Sequence, residues 1–471
     1  MNKPVEHAVK KAVDSIQECL VDYAVGLKFE ELPPDVVHGT KVRIIDTLGS
    51  LMGGFFSDPS RMARSVAAAM PNPAGATIIG TRMKTAPDMA AFVNGATARY
   101  VEMNDIYHWP GSFGGHPSDV LMPVFAAAEH AQASGRDLIT AVVLAYEVYQ
   151  SFSNVFKNVG MGFDHTNFAT LGSSLGAGKV FGLNREQMAH CISMAAVPNV
   201  ILRQVRADHY TMWKAVASGQ AGRAGVFAAM LARAGMEGPH LPFEGKAGWC
   251  DHVARDRITI SLGGRNSGMP FKILHSLIKN RSSCGKTIAS ILAAEKVAPL
   301  RNLKDVKQVI VAVDKLAKDR LGTGEHRWHP DTREGADHSI PYVVAATLLD
   351  GTVTPRSFNE AHLANPELFA LMQKIEVVID DDYTKAYVQM PVRHSARVTV
   401  VTNSGERMVG ETGGDQDDLS TPKTDAQIIE KFRGLTEDFL GSKRVKSTLD
   451  SLWGLDSMAD VTVIPPAFVL D

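Results

Sequence analysis

Apolar side chains recur at helical spacing, three or four positions apart, through most of the first 270 residues of the chain. This period predicts helices over Val9–Tyr23, Pro34–Met52, Leu138–Phe156, Thr166–Phe181 and Lys214–Ala234. Many of these segments are rich in Ala and Gly, and small residues let neighbouring helices approach closely. We therefore expect residues 1–270 to form a tightly packed helical domain.

The pattern changes near Gly263, where the polar sequence GGRNSG forms a flexible junction. One more helix is predicted over Ser282–Ala294. Short β-branched runs follow it, at Val309–Val313, Ile375–Ile379 and Arg397–Thr402. The last run precedes Asn-Ser-Gly, which is typical of a hairpin turn. Residues 271–410 are therefore predicted to form a smaller α+β domain.

The C-terminal tail returns to helical spacing between Thr424 and Trp453. Its apolar residues fall on one side of the predicted helix, at Ile428, Ile429, Phe432, Leu435, Phe439 and Leu440. The fold class predicted for the whole chain is therefore mainly α, with one smaller α+β unit.

Composition excludes several functional classes. The 471 residues carry 49 Lys and Arg against 51 Asp and Glu, a net charge of −2, without a basic run. Nucleic acid is therefore not an expected partner. No apolar stretch reaches about 18 residues, so we expect no membrane span. The N-terminus mixes acids and bases and has no apolar core of the kind found in secretion signals.

The four cysteines, Cys19, Cys191, Cys250 and Cys284, are far apart in apolar or small-residue surroundings. No pair has the spacing of a metal or redox site. This usage predicts a reducing cytoplasm, no bound metal and no three-cysteine iron–sulfur cluster. We expect no cofactor.

The densest cluster of polar side chains lies between Tyr100 and Val120, in a loop with three glycines and two prolines. It contains Asn104, Asp105, Tyr107, His108, His116, Ser118 and Asp119. Irregular loops held between helices often carry catalytic groups. Taken alone, the cluster is equally compatible with an ordinary solvated connection containing capping residues.

Three further motifs follow this loop in the sequence. They are Gly162-Phe163-Asp164-His165, then Lys214 with the small-residue run ASGQAGRAG, then Trp328-His329-Pro330 through Asp337-His338 to Tyr342. Together with the loop, and in this order, they resemble the MmgE/PrpD family. The resemblance implies a helical domain built from both chain ends, with residues 411–471 completing residues 1–270. Residues 271–410 would form a lid, the active site would lie between the two, and the protein would be a homodimer.

The resemblance also implies a set of site residues. The expected catalytic residues are Asp105, His116, Lys214, Tyr342 and Cys284. The expected substrate-binding residues are Asn104, His165, His338 and Ser283.

The residues themselves leave several roles open. Asp105 is either a general base or a hydrogen-bond organiser, or it merely forms a turn. His116 follows Gly114-Gly115, which allow a close backbone approach, and precedes Pro117, which fixes the exit of the chain. It either donates to a substrate carboxylate or acts as an acid, or it caps the helix that begins near Ser118. His165 is either a site residue or only a helix cap, and Cys284 is either an acid/base or a small buried residue.

Lys214 follows the apolar pair Met212-Trp213, which favours partial burial of a cation that faces a cleft. Such a cation suits a polycarboxylate substrate. Tyr342 is expected to line the site, with His338 as its partner. The loop departs from the usual family sequence at Ile106 and Tyr107, where Thr-Trp is typical, and it is slightly longer. These differences predict a changed pocket and leave the substrate open.

The chemistry that the resemblance implies is proton removal or delivery next to a carboxylate. The leading prediction is a cofactor-independent dehydratase of a hydroxy-tricarboxylate such as 2-methylcitrate. A cis-aconitate-type decarboxylase, or an epimerase of an imino- or aminodicarboxylate such as iminodisuccinate, would share the first step. A non-catalytic helical binding protein is the alternative of another class, and it predicts that the four motifs do not meet in space.

Overall fold

A computed structural model describes residues 13–156, 162–265, 267–415 and 418–470 of the chain. Before the junction, its α-helices α1 to α9 are Ser15–Gly26, Pro34–Gly54, Asp58–Ala68, Pro87–Tyr100, Leu121–His130, Gly135–Val155, Thr166–Val180, Arg185–Ala196 and Trp213–Arg233. The start predicted at Val9 lies outside the described residues. None of the described helices combines the length and the apolar character needed to cross a membrane.

Local sequence explains where these helices begin and how closely they pack. The side chain of Asn184 accepts a hydrogen bond from the backbone of Gln187, and this capping contact sets the start of α8. Helices α4 and α9 cross at Gly95 and Gly219. A Cβ added at Gly219 would lie 2.4 Å from the carbonyl oxygen of Phe92. The small-residue run of α9 is therefore required for this close contact.

The second part of the chain contains a four-stranded sheet and shorter helices. Helices α10 to α17 are Ile288–Glu295, Lys315–Leu321, Glu325–Trp328, Arg333–Ala336, Ile340–Asp350, Glu360–Leu363, Pro366–Met372 and Asp381–Val388. Strands β1 to β8 are Pro71–Thr77, Lys84–Thr85, Ile106–Tyr107, Ser276–Leu277, Val306–Val313, Ile375–Ile379, Ala396–Thr402 and Arg407–Thr412. The sheet has the order β6-β5-β7-β8, with β5 parallel to β6 and the other pairs antiparallel.

All three predicted strand runs are confirmed, and β7 and β8 form the predicted hairpin. The helix predicted to begin at Ser282 begins later. A short 3₁₀ turn covers Gly285–Thr287, and α10 begins at Ile288. The reason is that the backbone N–H of Cys284 donates to the carbonyl of Asp337, at 3.0 Å, instead of entering a helix.

The buried apolar side chains form two large clusters. The first joins the N-terminal helices to helices α18 (Asp425–Leu440) and α19 (Ser442–Trp453), with Phe432 and Leu449 in the same core as Leu48. The second joins the sheet to α10 and α14. Phe439, which was expected on the buried side of the tail, is exposed. The mainly α fold with a smaller α+β part is confirmed, and the limits at residues 270 and 411 stay a prediction.

Candidate active site

The polar loop after α4 is held by backbone pairing on both sides. Strand β3 (Ile106–Tyr107) pairs with β4 (Ser276–Leu277), which lies near the start of the lid segment. The loop then closes on itself, because the N–H of Tyr107 donates to the carbonyl of Gly115 at 2.8 Å. The loop is therefore fixed between the helical core and the lid.

Gly115 brings the loop backbone against the helical core. Its φ is +119°, and a Cβ there would lie 2.2 Å from the hydroxyl oxygen of Tyr149. The next residue, His116, donates its backbone N–H to that hydroxyl at 2.9 Å. Only glycine fits this approach, as the Gly-Gly pair before the histidine predicted.

Asp105 is fully buried, and both of its carboxylate oxygens accept hydrogen bonds. Oδ1 accepts from the backbone N–H of Ser118 at 2.9 Å, and Oδ2 accepts from the Tyr146 hydroxyl at 3.1 Å. Of the roles considered for Asp105, this geometry fits a residue that organises the loop. A general base would need an oxygen directed at substrate.

The His116 side chain is held in one tautomer. Its Nδ1 lies 2.8 Å from the carbonyl oxygen of Asp105. A carbonyl only accepts, so Nδ1 carries the hydrogen. Burial and the nearby charge of Arg99 hold the pKa of His116 well below its usual range, so the ring is neutral at pH 7. Nε2 therefore presents a lone pair, which suits a base. The side chain does not cap the turn that begins at Pro117.

His165 contacts the same hydroxyl as His116. The Tyr149 hydroxyl accepts from the backbone N–H of His116 and lies 3.0 Å from Nδ1 of His165. Burial, which outweighs the nearby carboxylate of Asp164, keeps the pKa of His165 well below its usual range. The rings of His116 and His165 lie 5.5 Å apart. His165 precedes α7, but its side chain does not cap that helix. The short distance between the two rings brings the polar loop and the Gly-Phe-Asp-His motif together.

Glu102 is the central anion of the site. Its backbone φ is +54°, which is uncommon for a residue other than glycine and often marks functional sites. Its carboxylate contacts three cations: Arg99 at 2.6 Å, Lys214 at 3.3 Å and Lys279 at 3.1 Å. Although burial alone would raise its pKa, these cations hold the pKa of Glu102 well below its usual range.

Lys214 joins the two parts of the molecule. Its amine lies 2.8 Å from Oδ1 of Asp337, which precedes α14, and 3.3 Å from Glu102, which follows α4. It also lies 3.1 Å from Nδ1 of His338. The sequence predicted a partly buried cation facing a cleft. The structure shows instead a fully buried lysine whose charge is shared by two carboxylates, because Glu102 and Asp337 come from distant segments.

Cys284 and His338 form a pair of side chains whose pKa values are shifted by each other's charge. Nδ1 of His338 contacts Oδ1 of Asp337, and the ring donates a hydrogen bond to the sulfur of Cys284. Burial would raise the thiol pKa, but the charge of His338 lowers it to about 6. Burial and Lys214 would lower the pKa of His338, but Cys284 and Asp337 raise it to about 9. At pH 7 this pair is a thiolate and an imidazolium.

The remaining predicted site residues are placed differently. Ser283 is buried, and its hydroxyl donates to the carbonyl of Asp337 at 2.8 Å, which positions the Asp337–His338 segment. Asn104 is buried with its Oδ1 unpaired among the described residues. Tyr342 is not brought to the cluster. It lies in the lid core, where its hydroxyl donates to the carbonyl of Ser357 and its ring stacks on Phe358. It follows the right motif but points away, into the packed face of α14.

A cavity of about 110 Å³ opens beside the cluster, between the segment after α8 and the lid. Tyr210 lines it and places its ring 5.3 Å from that of His338. Arg206 lies just before Tyr210. Its Nη2 is buried without a hydrogen-bond partner in the described part of the chain, as is Oδ2 of Asp119. Buried polar atoms of this kind are suited to a polar ligand.

The cluster contains residues that the motifs did not predict: Arg99, Glu102, Lys279 and Arg206. Glu102 lies two residues before the predicted Asn-Asp pair, in an otherwise apolar stretch. An acidic residue in such a stretch was the sequence signal that could have identified it as a site residue. Lys279 contacts Glu102 across 177 positions, which no local pattern indicates. The four motifs meet in space, contrary to what a non-catalytic scaffold predicts.

Comparison with known sequences gives matches along most of the chain. The MmgE/PrpD N-terminal domain matches residues 18–260, and the MmgE/PrpD C-terminal domain matches residues 282–455. A human cis-aconitate decarboxylase is 24% identical over 473 residues, which cover 96% of this chain and 94% of that protein.

Two similar bacterial proteins are named for a different reaction. A 2-methylcitrate dehydratase of Cupriavidus necator is 27% identical over 437 residues, 85% of each chain. A 2-methylcitrate dehydratase of Escherichia coli K12 is 26% identical over 402 residues, 78% of each chain. At these identities, relatives with different reactions are about equally similar to this chain.

Proposed function

The chain belongs to the MmgE/PrpD family, and from this premise we propose that it is a lyase that removes water from a hydroxy-tricarboxylate resembling 2-methylcitrate. The observation that carries the proposal is that two histidines in different protonation states contact one charged cluster, His116 at Glu102 and His338 at Lys214. The first presents an unprotonated nitrogen, and the second is protonated at pH 7. Dehydration needs one group of each kind.

In the proposed reaction, Nε2 of His116 removes the proton next to a substrate carboxylate. The electron pair of the broken C–H bond forms the carbon–carbon double bond as the C–O bond breaks. The imidazolium of His338 gives its proton to the departing hydroxyl, which leaves as water. Both histidines change charge by one proton and return to their starting states by exchange with solvent.

The charges around the site support the first step. A carbon acid next to an ionised carboxylate is weak, because removing its proton adds a second negative charge. Fixed cations where that charge grows lower the barrier. Lys214 and Lys279 both contact the carboxylate of Glu102. Among the described residues, Nη2 of Arg206 has no hydrogen-bond partner and is available to a substrate carboxylate.

An epimerase of an iminodicarboxylate is the second candidate, and one observation favours it. The thiolate of Cys284 is a second base, separated from His116 by Glu102 and Lys214. Two bases that flank one carbon can remove a proton from one face and return it to the other. A decarboxylase is supported by the similarity to the human cis-aconitate decarboxylase.

The test is turnover of a panel containing 2-methylcitrate, citrate, cis-aconitate and iminodisuccinate, followed by ultraviolet absorbance of the product alkene. We expect alkene to form from a hydroxy-tricarboxylate. His116→Gln should reduce the rate at least ~10²-fold, the lower end for losing a general base. The exposed His240, changed to Gln, is the matched control. Release of CO₂ would indicate a decarboxylase instead, and inversion of configuration at the reacting carbon without alkene would indicate an epimerase.

Small carboxylates are the proposed partners, and we propose a cytoplasmic homodimer. The four cysteines are all unpaired, and a thiolate at Cys284 would be preserved best in a reducing compartment.

A further inference from the structure

A second group of titratable side chains lies beside Cys284, on the side of the lid. Lys286 follows Cys284 by two residues, in the middle of the 3₁₀ turn Gly285–Thr287. Its amine lies 4.0 Å from the ring centre of Tyr387 and donates to the Tyr387 hydroxyl. The ring of His108, from the polar loop, is tilted by 50° against that of Tyr387, with the ring centres 4.2 Å apart. His394 completes the group, with its Nε2 3.4 Å from Nδ1 of His108.

Lys286 is the single charged member of this group at pH 7. Burial and the charge of Lys286 lower the pKa of His108 to about 3, and burial lowers that of His394 well below its usual range. Both imidazoles are therefore neutral. Burial also lowers the pKa of Lys286, but only to about 8, since Asp314 and Cys284 oppose the shift. Most of the lysine thus remains an ammonium ion.

In the described part of the chain, no carboxylate oxygen lies within 4 Å of the Lys286 amine. The other buried lysines of the site differ in this respect, because Lys214 and Lys279 both contact Glu102. Asp314 and Cys284 supply negative charge in the surroundings of Lys286, and a ligand carboxylate in direct contact would neutralise the half-buried ammonium more completely. Tyr387 accepts a hydrogen bond from Lys286, so its own hydroxyl hydrogen remains available for an anionic oxygen.

We propose that Lys286, together with the Tyr387 hydroxyl, binds the substrate carboxylate farthest from the reacting carbon and so selects tricarboxylates over dicarboxylates. The proposal rests on the proposed function and identifies the substrate class of that same site. Lys286 follows Cys284 by two residues and interacts electrostatically with it, so the cation lies near one of the titrating groups of the site. His108 contacts Tyr387 from the polar loop, and His394 contacts it from within the lid.

The experiment compares the binding of two unreactive acids by isothermal titration calorimetry. Propane-1,2,3-tricarboxylate has a carboxylate at each end of its chain, and methylsuccinate lacks one of these two. Neither can lose water, so binding is measured without turnover. The wild-type protein is expected to prefer the tricarboxylate. Lys286→Met, which keeps most of the stem and removes the charge, should lose that preference, with tricarboxylate affinity falling at least ~30-fold and methylsuccinate affinity unchanged.

Two further variants make the result specific. Tyr387→Phe leaves the ammonium in place and removes one donor, so it should reduce the preference by a smaller factor, about fivefold for one lost hydrogen bond. It also tests the proposal if Lys286→Met does not fold. Lys307→Met changes an exposed lysine of β5 in the lid and should have no effect.

The outcomes separate this proposal from the proposed function. If Lys286→Met and Tyr387→Phe retain the wild-type preference, the subsite is wrong, while the dehydratase proposal is unaffected. The same conclusion holds if Lys286→Met changes only the pH dependence of turnover, because Lys286 would then act only on the Cys284 thiol. If the wild-type protein binds neither acid, both proposals are wrong.

Discussion

The amine of Lys214 lies 2.8 Å from Oδ1 of Asp337, so the first turn of α9 is bound by an ion pair to the segment that begins α14. Both side chains are buried. Lys214 belongs to α9, which packs in the first apolar core, and Asp337 precedes α14, which packs in the second. This pair therefore connects the helical part of the chain to the lid at the site. A change in either residue should affect both the site and the stability of the junction.

Replacing Lys214 with Met should reduce turnover and stability together. Turnover should fall at least ~10²-fold, as is typical when one preorganised electrostatic contact is lost. The variant leaves Glu102 and Asp337 with one cation fewer, and breaking a buried ion pair costs about 3–5 kcal/mol. Urea unfolding and steady-state kinetics measure the two effects. Lys446→Met, at an exposed position on α19, is the control. Near-normal turnover in a folded Lys214→Met protein would contradict the assigned role.

The activity should depend on pH through the Cys284–His338 pair. The thiol pKa is about 6 and the imidazole pKa is about 9, so the pair carries both charges only between these values. Below pH 6 the thiolate is protonated, and above pH 9 the imidazolium loses its proton. Turnover should therefore rise through about pH 6 and fall through about pH 9.

Cys284→Ser separates this explanation from others. A serine hydroxyl does not ionise in this range, so the acidic limb near pH 6 should disappear and the pKa of His338 should fall toward its usual value. Cys19→Ser, at an exposed thiol, should leave the profile unchanged. An acidic limb that persists in Cys284→Ser would assign it to another group.

The predictable and unpredictable parts of the structure differ in how far apart the interacting residues are. The helices around Asn184 and the hairpin after Thr402 follow from local spacing and turn residues, and the structure has both. The ion pair of Glu102 with Lys279 joins residues 177 positions apart, and no local pattern encodes it. Motif position alone also misplaced Tyr342, because periodicity does not tell which face of α14 meets the lid core.

The same limit applies to individual side-chain roles. The sequence indicated that His116 was constrained by Gly-Gly and Pro, and the structure agrees. It did not indicate that the ring would bond the carbonyl of Asp105, which fixes its tautomer and favours a base over an acid. Tautomers depend on partners brought together by the fold, so they are accessible only from three-dimensional contacts.

We predict a homodimer that involves the exposed apolar surface of α3. Met62 and Val66 on this helix, with Phe56 before it, are about half or more exposed, at 52%, 54% and 61%. Apolar groups clustered in this way often mark an interface between subunits. Light scattering should give twice the chain mass for the wild-type protein and for the control Val409→Asp. Met62→Asp should give a monomer. A wild-type monomer at micromolar concentration would refute the prediction.

The central claim is that this site removes a proton next to a carboxylate and then expels water. It is tested most directly by carbon-13 NMR of 2-methylcitrate incubated with the protein in D₂O. The account predicts an alkene signal that grows with the wild-type protein, and its loss in His116→Gln together with loss of deuterium exchange at the reacting carbon. Wild-type protein that leaves 2-methylcitrate and citrate unchanged, with neither exchange nor alkene, would contradict it.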